Sequence, residues 1–438
     1  MKTFLLLLLS VSSYPAQVAD SGSSTDWSNR GNVLFHAAHY REAELLFEKA
    51  LAVASSRETP NPAQLAVLNI NLAASFRVQA KYGEAEALYR EALEYAQSEP
   101  PASSHAPGAL RGLALVSLGQ GRLADAEAFA RRSLDGEIQS TDPGQFAESA
   151  DTLAAILLAR ENLKEAEDSA NRALAAFPKQ DWHRHEVSAL ALNTLGRIGL
   201  AQGKNDVAEA YLSQAVQILH ELLDYNSPTI AAVSVNLADA RARRGDWESA
   251  TSLLTDSITT LERVLGENQP EVASGLSILA GIHRARKQYR KAWPLYERAL
   301  QIDERVVGPN ALKTAVDLNN LGSLALARHR YDDSIELLTR AFAIEQRVRG
   351  ANHPETGLVA SNLAEAYFMR KRYGEAEPLL RQAIAVKESS AGAEDPGLVR
   401  LLSEYSDVLR AAGRFSEAEM AELRSTRIKV RNAIRSNS

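Results

Sequence analysis

The sequence predicts an all-α chain, a right-handed α-solenoid of about ten antiparallel helix pairs, on three observations. A pattern of 40 to 42 residues returns ten times along the 438 residues. Within each unit apolar residues recur at spacings of three and four, the period of a helix with one buried face. Alanine and leucine supply much of the 45% hydrophobic content while aromatics are only 6%, a balance that favours helix over sheet.

The totals exclude several classes. A net charge of −6 lacks the basic excess of a general nucleic-acid binder. There is no cysteine, hence no disulfide, no thiolate nucleophile and no cysteine-based zinc or iron–sulfur site.

The amino terminus comes first. Lys2 precedes the run Phe4 to Leu9, followed by Ser10-Val11-Ser12-Ser13. A basic start, a short apolar run and small residues are the pattern of a secretory signal peptide. The run is too short to cross a bilayer, which needs about 20 apolar residues. Residues 1–19 are therefore read as a signal peptide with its cleavage site open, 20–26 as a linker, 27–430 as the solenoid and 431–438 as a polar tail. The expected location is secreted or periplasmic. Without a functioning signal the same chain would be a cytosolic adaptor. No later segment is apolar enough to be an integral membrane span.

Each unit is anchored by a small residue, at 43, 85, 126, 166, 208, 250, 292, 334, 376 and 418. Three residues earlier an aromatic opens the second helix: Tyr40, Tyr82, Trp247, Tyr289, Tyr331, Tyr373 and Phe415, with Leu123, Leu163 and Asn205 as exceptions. Twelve residues before the anchor lies Gly, Ala or Ser, as in Gly31, Ala73, Gly196 and Gly322; seven after it lies Ala or Ser, as in Ala50 and Ser133. Small residues in a helix middle imply close approach of two helices, so these columns should mark the line between first and second helix. Pro143, Pro228, Pro270, Pro354 and Pro396 mark where first helices begin, with Ser227 and Asp395 placed to cap them. Units 3 and 4 are the least regular, and Pro178 with Asp181-Trp182-His183-Arg184-His185 suggests an irregularity before unit 5. Unit 10 carries Glu422, Arg424, Thr426 and Lys429 where earlier units are more apolar, as expected of a terminal cap.

These columns resemble the tetratricopeptide repeat over roughly residues 27–430, and Trp27, Gly31, Tyr40, Ala43, Phe47 and Ala50 carry its opening. The ordinary repeat is about 34 residues; the longer period here, with segments such as Ala299–Gly308 and Asn352-His353-Pro354-Glu355-Thr356, resembles the repeats of kinesin light chains. No heptad segment precedes the repeats, which sets the chain apart from a motor subunit.

The resemblance implies a concave surface lined by first helices and a protein or peptide ligand in that groove. Two residues before the small column stand Asn29, Asn71, Asn236, Asn320 and Asn362, with Asn193 one place earlier in unit 5. An amide offers a donor and an acceptor, so it can pair with any peptide backbone. In related repeat proteins asparagines here contact peptides. The same amides could instead bond a backbone carbonyl of the neighbouring repeat and set the superhelix, or simply be solvated; these readings stand side by side. First helices end in basic residues, Arg243-Arg244, Arg286-Lys287, Arg328-His329-Arg330 and Arg370-Lys371-Arg372, which fits the helix dipole and also an edge for an acidic partner.

Catalytic signatures are missing. There is no phosphate loop, no HExxH and no GxSxG. The pairs His36/His39 and His183/His185 lack the spacing of a metal site. Carboxylate pairs such as Glu42/Glu44 recur in unit after unit, as helix-start charges do. The expectation is a non-catalytic binding scaffold with no cofactor or metal and no nucleic-acid partner. A self-assembling structural solenoid is the alternative.

Overall fold

The computed structural model describes residues 23–98, 102–138 and 142–436. The expected signal peptide, 1–19, lies outside them. Ten helix pairs follow in order. They are α1 (Ser24–His36) with α2 (Tyr40–Ser55), α3 (Pro62–Val78) with α4 (Tyr82–Ser98), α5 (Ala106–Gly119) with α6 (Leu123–Glu137), and α7 (Pro143–Ala159) with α8 (Leu163–Ala175). Next come α9 (Glu186–Ala201) with α10 (Asn205–Leu222), α11 (Pro228–Arg243) with α12 (Trp247–Leu265), and α13 (Pro270–Ala285) with α14 (Tyr289–Val306). The last are α15 (Leu312–Ala327) with α16 (Tyr331–Val348), α17 (Pro354–Met369) with α18 (Tyr373–Ala391), and α19 (Leu398–Ala411) with α20 (Phe415–Ser436). The described residues contain no strand. Every second helix begins at the residue three before the anchor, as the sequence predicts.

Three boundaries differ from expectation. Helix α1 starts at Ser24, inside the expected linker, because Ser23 and Asp26 form a reciprocal capping box. Helix α20 runs on through most of the expected tail, to Ser436. Pro396 does not open α19: Leu398 and Val399 donate to the carbonyls of Asp395 and Pro396, a tight turn that delays the helix. At Pro62 and Pro228 proline stands at the first helical position behind a capping side chain, with Asn61 accepting from the Gln64 N–H at 3.2 Å and Ser227 from that of Thr229 at 3.2 Å. The irregularity before unit 5 is a short 3₁₀ turn, Lys179–Arg184, held by Trp182 Nε1 donating to the Leu174 carbonyl at 3.2 Å.

The small columns work in a particular way. A Cβ added to Gly31, Gly196 or Gly322 would lie 2.6, 2.5 and 2.7 Å from Phe47, Leu212 and Leu338. The first helix is small there to admit a large side chain from its own partner helix. Close backbone approach occurs one turn on, where a Cβ added to Gly199 would lie 3.3 Å from the Ala208 backbone. Each turn inside a pair contains one left-handed residue. It is glycine at Gly121, Gly203, Gly245 and Gly413, but Ala38, Ala80, Glu161, Lys287, His329 and Lys371 adopt it in the other six.

Packing runs from each helix to the next, and more thinly to the one after. The superhelix nevertheless winds back on itself. The turn of unit 4 meets the loop between units 8 and 9: Arg349 Nη2 lies 2.8 Å from Glu161 Oε1, and His353 Nε2 2.9 Å from Glu161 Oε2. His353 Nδ1 caps α17 by accepting from the Glu355 N–H at 3.2 Å, so Nε2 carries the proton donated to Glu161. Between the two turns lies a cavity of about 1510 Å³, lined by turn residues of units 1–4 and loop residues of units 5–9. Tyr40 and Tyr82 line it; burial pushes both phenols up to about 12, with Glu186 adding to the shift at Tyr40 and Glu271 at Tyr82.

Candidate functional site

The concave strip is built from the first helices. Where the sequence places asparagines, the structure joins most of them across repeats. Asn71 Nδ2 donates to Asn32 Oδ1 at 3.3 Å, Asn236 Nδ2 to Asn193 Oδ1 at 2.8 Å, and Asn362 Nδ2 to Asn319 Oδ1 at 2.9 Å and Ser323 Oγ at 3.2 Å. Thr194 and Asp151 form the corresponding rung between units 4 and 5. In these four rungs a side chain reaches a side chain of the repeat before it, not a backbone carbonyl. Asn29 is exposed near the amino-terminal end and joins no rung.

Asn320 differs. It forms no hydrogen bond among the described residues, and it lines a groove of about 580 Å³ with Asn319, Ser323, Asn362, Arg284 and Glu365. Leu358 and Met369 give the groove an apolar side, and His329 Nδ1 is 2.8 Å from the Tyr331 hydroxyl on its rim. Donors, acceptors, both charges and apolar surface converge here. Of the asparagines read from sequence, Asn320 and Asn362 share this groove; Asn71, Asn193 and Asn236 lie in rungs further along.

The basic edge is largely spent inside the molecule. In units 1, 2, 5 and 9 a glutamate one residue after the anchor reaches a basic residue at the following repeat's turn: Glu44 to Lys81 at 3.0 Å, Glu86 to Arg122 at 2.7 Å, Glu209 to Arg241 at 3.3 Å and Glu377 to Arg414 at 2.6 Å. Arg244 pairs with Asp206 at 2.7 Å and Arg370 with Asp332 at 2.9 Å. Arg330 lies over Trp293 at 4.2 Å and Arg372 over Tyr367 at 4.6 Å.

Two carboxylate clusters are not evident from the repeat pattern alone. Asp151 faces Arg197 in the lumen, and burial raises its carboxyl to about 6 against the opposing effects of Thr194 and Arg197. Asp303 and Asp317 are buried side by side; Lys313 Nζ is 3.1 Å from Asp303 Oδ1 and Ser277 Oγ donates to Asp317 Oδ1 at 2.8 Å. Burial, then the hydrogen bond and charge of Asp303, hold the Asp317 carboxyl well above its usual range. The Asp303 column also holds Glu137, Glu345 and Lys387, but Asp317 stands in one that is apolar or small elsewhere in units 2–10, aligning with Leu68, Ala191, Val233 and Val359. That break in the column was the available signal. Among the described residues no three His, Asp or Glu side chains are grouped to hold a metal, and no helix is long and apolar enough to cross a membrane.

Residues 187–263, 229–305, 271–344, 316–389 and 359–429 match one tetratricopeptide repeat family, and 70–143 match another of the same description. No curated protein matches the sequence. Among solved structures, a Rap protein complexed with competence and sporulation factor is similar with a TM-score of 0.59 at 14% identity, over 84% of this chain and 98% of that one. BtubC (BKLC) from P. vanneervenii gives 0.45 at 24% identity, over 51% and 91%. A putative kinesin light chain from Podosopora anserina, with nearly identical repeats, gives 0.39 at 23%, over 47% and 98%.

Proposed function

The chain belongs to the tetratricopeptide repeat family, and from that premise we propose that it is a protein- or peptide-binding scaffold with no catalytic activity of its own. One observation carries the proposal: the groove of about 580 Å³ in which Asn320 has no partner while Asn319, Asn362 and Ser323 are held in place by one another. Both Asn362 N–H donors are used, so its carbonyl is left to accept. An extended peptide backbone supplies matching donors and acceptors at every residue. Arg284 and Glu365 give the groove opposite charges, which would fix the direction of a bound peptide. The Rap protein complexed with competence and sporulation factor supports the idea that a solenoid of this fold can hold a partner. Asn71, Asn193 and Asn236 serve spacing between repeats.

The test is selection of peptides from a random displayed library against the full chain. Asn320→Ala should weaken the selected peptides by about 3- to 10-fold, as expected for one neutral hydrogen bond of about 1 kcal/mol. Glu365→Lys should select peptides of different charge pattern. Failure to select any peptide, or equal binding by a folded Asn320→Ala variant, would sink the reading.

The proposal includes export, on the pattern of residues 1–19. Fractionation of expressing cells, with mass spectrometry of the amino terminus, tests it. A cytosolic chain that keeps Met1 to Ala19 would make the protein a cytosolic adaptor.

A further inference from the structure

The cavity of about 1510 Å³ bordered by the Glu161 contact has a chemistry of its own. Most of the basic residues lining it are answered within the chain. Arg160 pairs with Glu127, Lys313 with Asp303 and Arg349 with Glu161, and Arg197 lies in the field of Asp151. Arg77 is the exception. It forms no hydrogen bond or ion pair among the described residues, and its Nε is buried without an acceptor. The side chain as a whole is half-buried, where an unanswered guanidinium is costly. Its place in the repeat is also unusual. The same position holds Phe35, Leu118, Leu158, Leu200, Leu326 and Phe368 in other units, so packing does not require arginine there. Arg284 and Arg410 share the column, but Arg284 belongs to the groove and Arg410 pairs with Glu422.

Carboxylates line the same cavity without pairing. Glu186 is half-buried at the start of α9, and Glu271 is exposed at the start of α13. A first helical turn suits an acid by the helix dipole, which accounts for their sign but supplies no cation. Burial raises the Glu186 carboxyl, with the charge of His36 opposing. The two phenols show that both signs bear on one space. At Tyr40 burial raises the phenol, Arg77 opposes and Glu186 adds; at Tyr82 burial raises it, Glu271 adds and Arg77 opposes. Arg77 and Glu186 thus act on the same hydroxyl from across the cavity and do not close on each other. Phe35, Leu115, Leu118 and Leu190 give that space apolar wall. We infer that the cavity is a second binding site, separate from the groove, for a small amphoteric molecule whose carboxylate meets Arg77 and whose ammonium meets Glu186, with an apolar spacer between them. The acids on its wall disfavour a ligand that is anionic throughout.

The probes are unbranched ω-amino acids of increasing length, with the diamine and the dicarboxylate of matching length as controls. They report the two charged ends and do not fill the space. In calorimetric titration of the full chain, one length of amino acid should bind about 10-fold or more tightly than either control. Arg77→Leu gives unit 2 the residue found in several other units. It should keep the helical spectrum and melting temperature while weakening that amino acid about 10- to 100-fold, as for a lost charged hydrogen bond. Glu186→Gln should weaken the amino acid similarly and leave the dicarboxylate as it was or tighter; it carries the test should Arg77→Leu not fold. A series in which no amino acid binds overturns the inference, as does equal binding by a folded Arg77→Leu or Glu186→Gln chain. A dicarboxylate bound as tightly as the amino acid overturns the role of Glu186. The test needs no groove peptide, so it stands or falls apart from the scaffold reading. An amino acid whose binding is lost in Asn320→Ala and kept in Arg77→Leu sits in the groove and overturns the second site.

Discussion

Gly112 sits on α5 directly against the ring of Tyr89, where an added Cβ would lie 2.1 Å from a ring carbon. Neither the ring, which is buried, nor the helix backbone can yield that distance cheaply. Gly112→Ala should therefore destabilise by about 1–3 kcal/mol, read as a lower denaturation midpoint, despite alanine's better helix propensity. Asp317 is the second residue with a definite expectation. Its folded-state carboxyl holds a proton more tightly than the unfolded one, so the folded chain binds more protons once pH exceeds the unfolded value near 3.9. Stability then falls as pH rises from there through the raised folded value, and is greatest below the unfolded value. Asp151 acts in the same direction between about 4 and about 6. Asp317→Asn keeps a donor toward Asp303 and removes the titration. It should raise stability by about 1–3 kcal/mol at pH 8.5 and by much less at pH 4, measured by denaturant titration at both. Asp317 was written in the sequence as a break in an apolar column, but the column does not say which residue it meets. Asp303 and Asp317 come together only because α14 and α15 pack on each other.

At the scale of elements the sequence was most legible. Aromatic, small and proline columns placed the second helices at their observed starts and four of the first helices, at Pro143, Pro228, Pro270 and Pro354, because those positions are fixed by local turn chemistry and by side-chain volume within one pair. The asparagine column was visible, yet its rungs were not, since an amide's partner lies some forty residues away on the next repeat. The glutamate that follows the anchor in units 1, 2, 5 and 9 is similar. It reads as a helix-start charge, and the structure adds that it clasps the following repeat's turn. A double-mutant cycle on Glu86 and Arg122 should give a coupling of about 0.2–1 kcal/mol that shrinks with salt, because Arg122 is partly solvated. Removing several clasps at once should loosen the stacking of repeats without altering helix content.

Among the described residues the molecule is a line of neighbours closed where Glu161 meets Arg349 and His353. Repeat period sets the helices but says nothing of superhelical pitch, so the meeting of Glu161 with Arg349 and His353 could not be read from spacing. Glu161→Lys places a cation against two basic groups. It should open the turns, seen as a larger radius of gyration in solution scattering, with circular dichroism unchanged. The closure also divides the chain's kinetics. Contacts between adjacent repeats join residues near in sequence and form early, whereas Glu161 and Arg349 stand 188 residues apart. Closure should follow after the repeats have stacked, outside the rate-limiting step. Glu161→Gln would then leave the refolding rate as it is and speed unfolding, so that this one ring-closing contact lengthens the lifetime of the folded chain without hastening its birth.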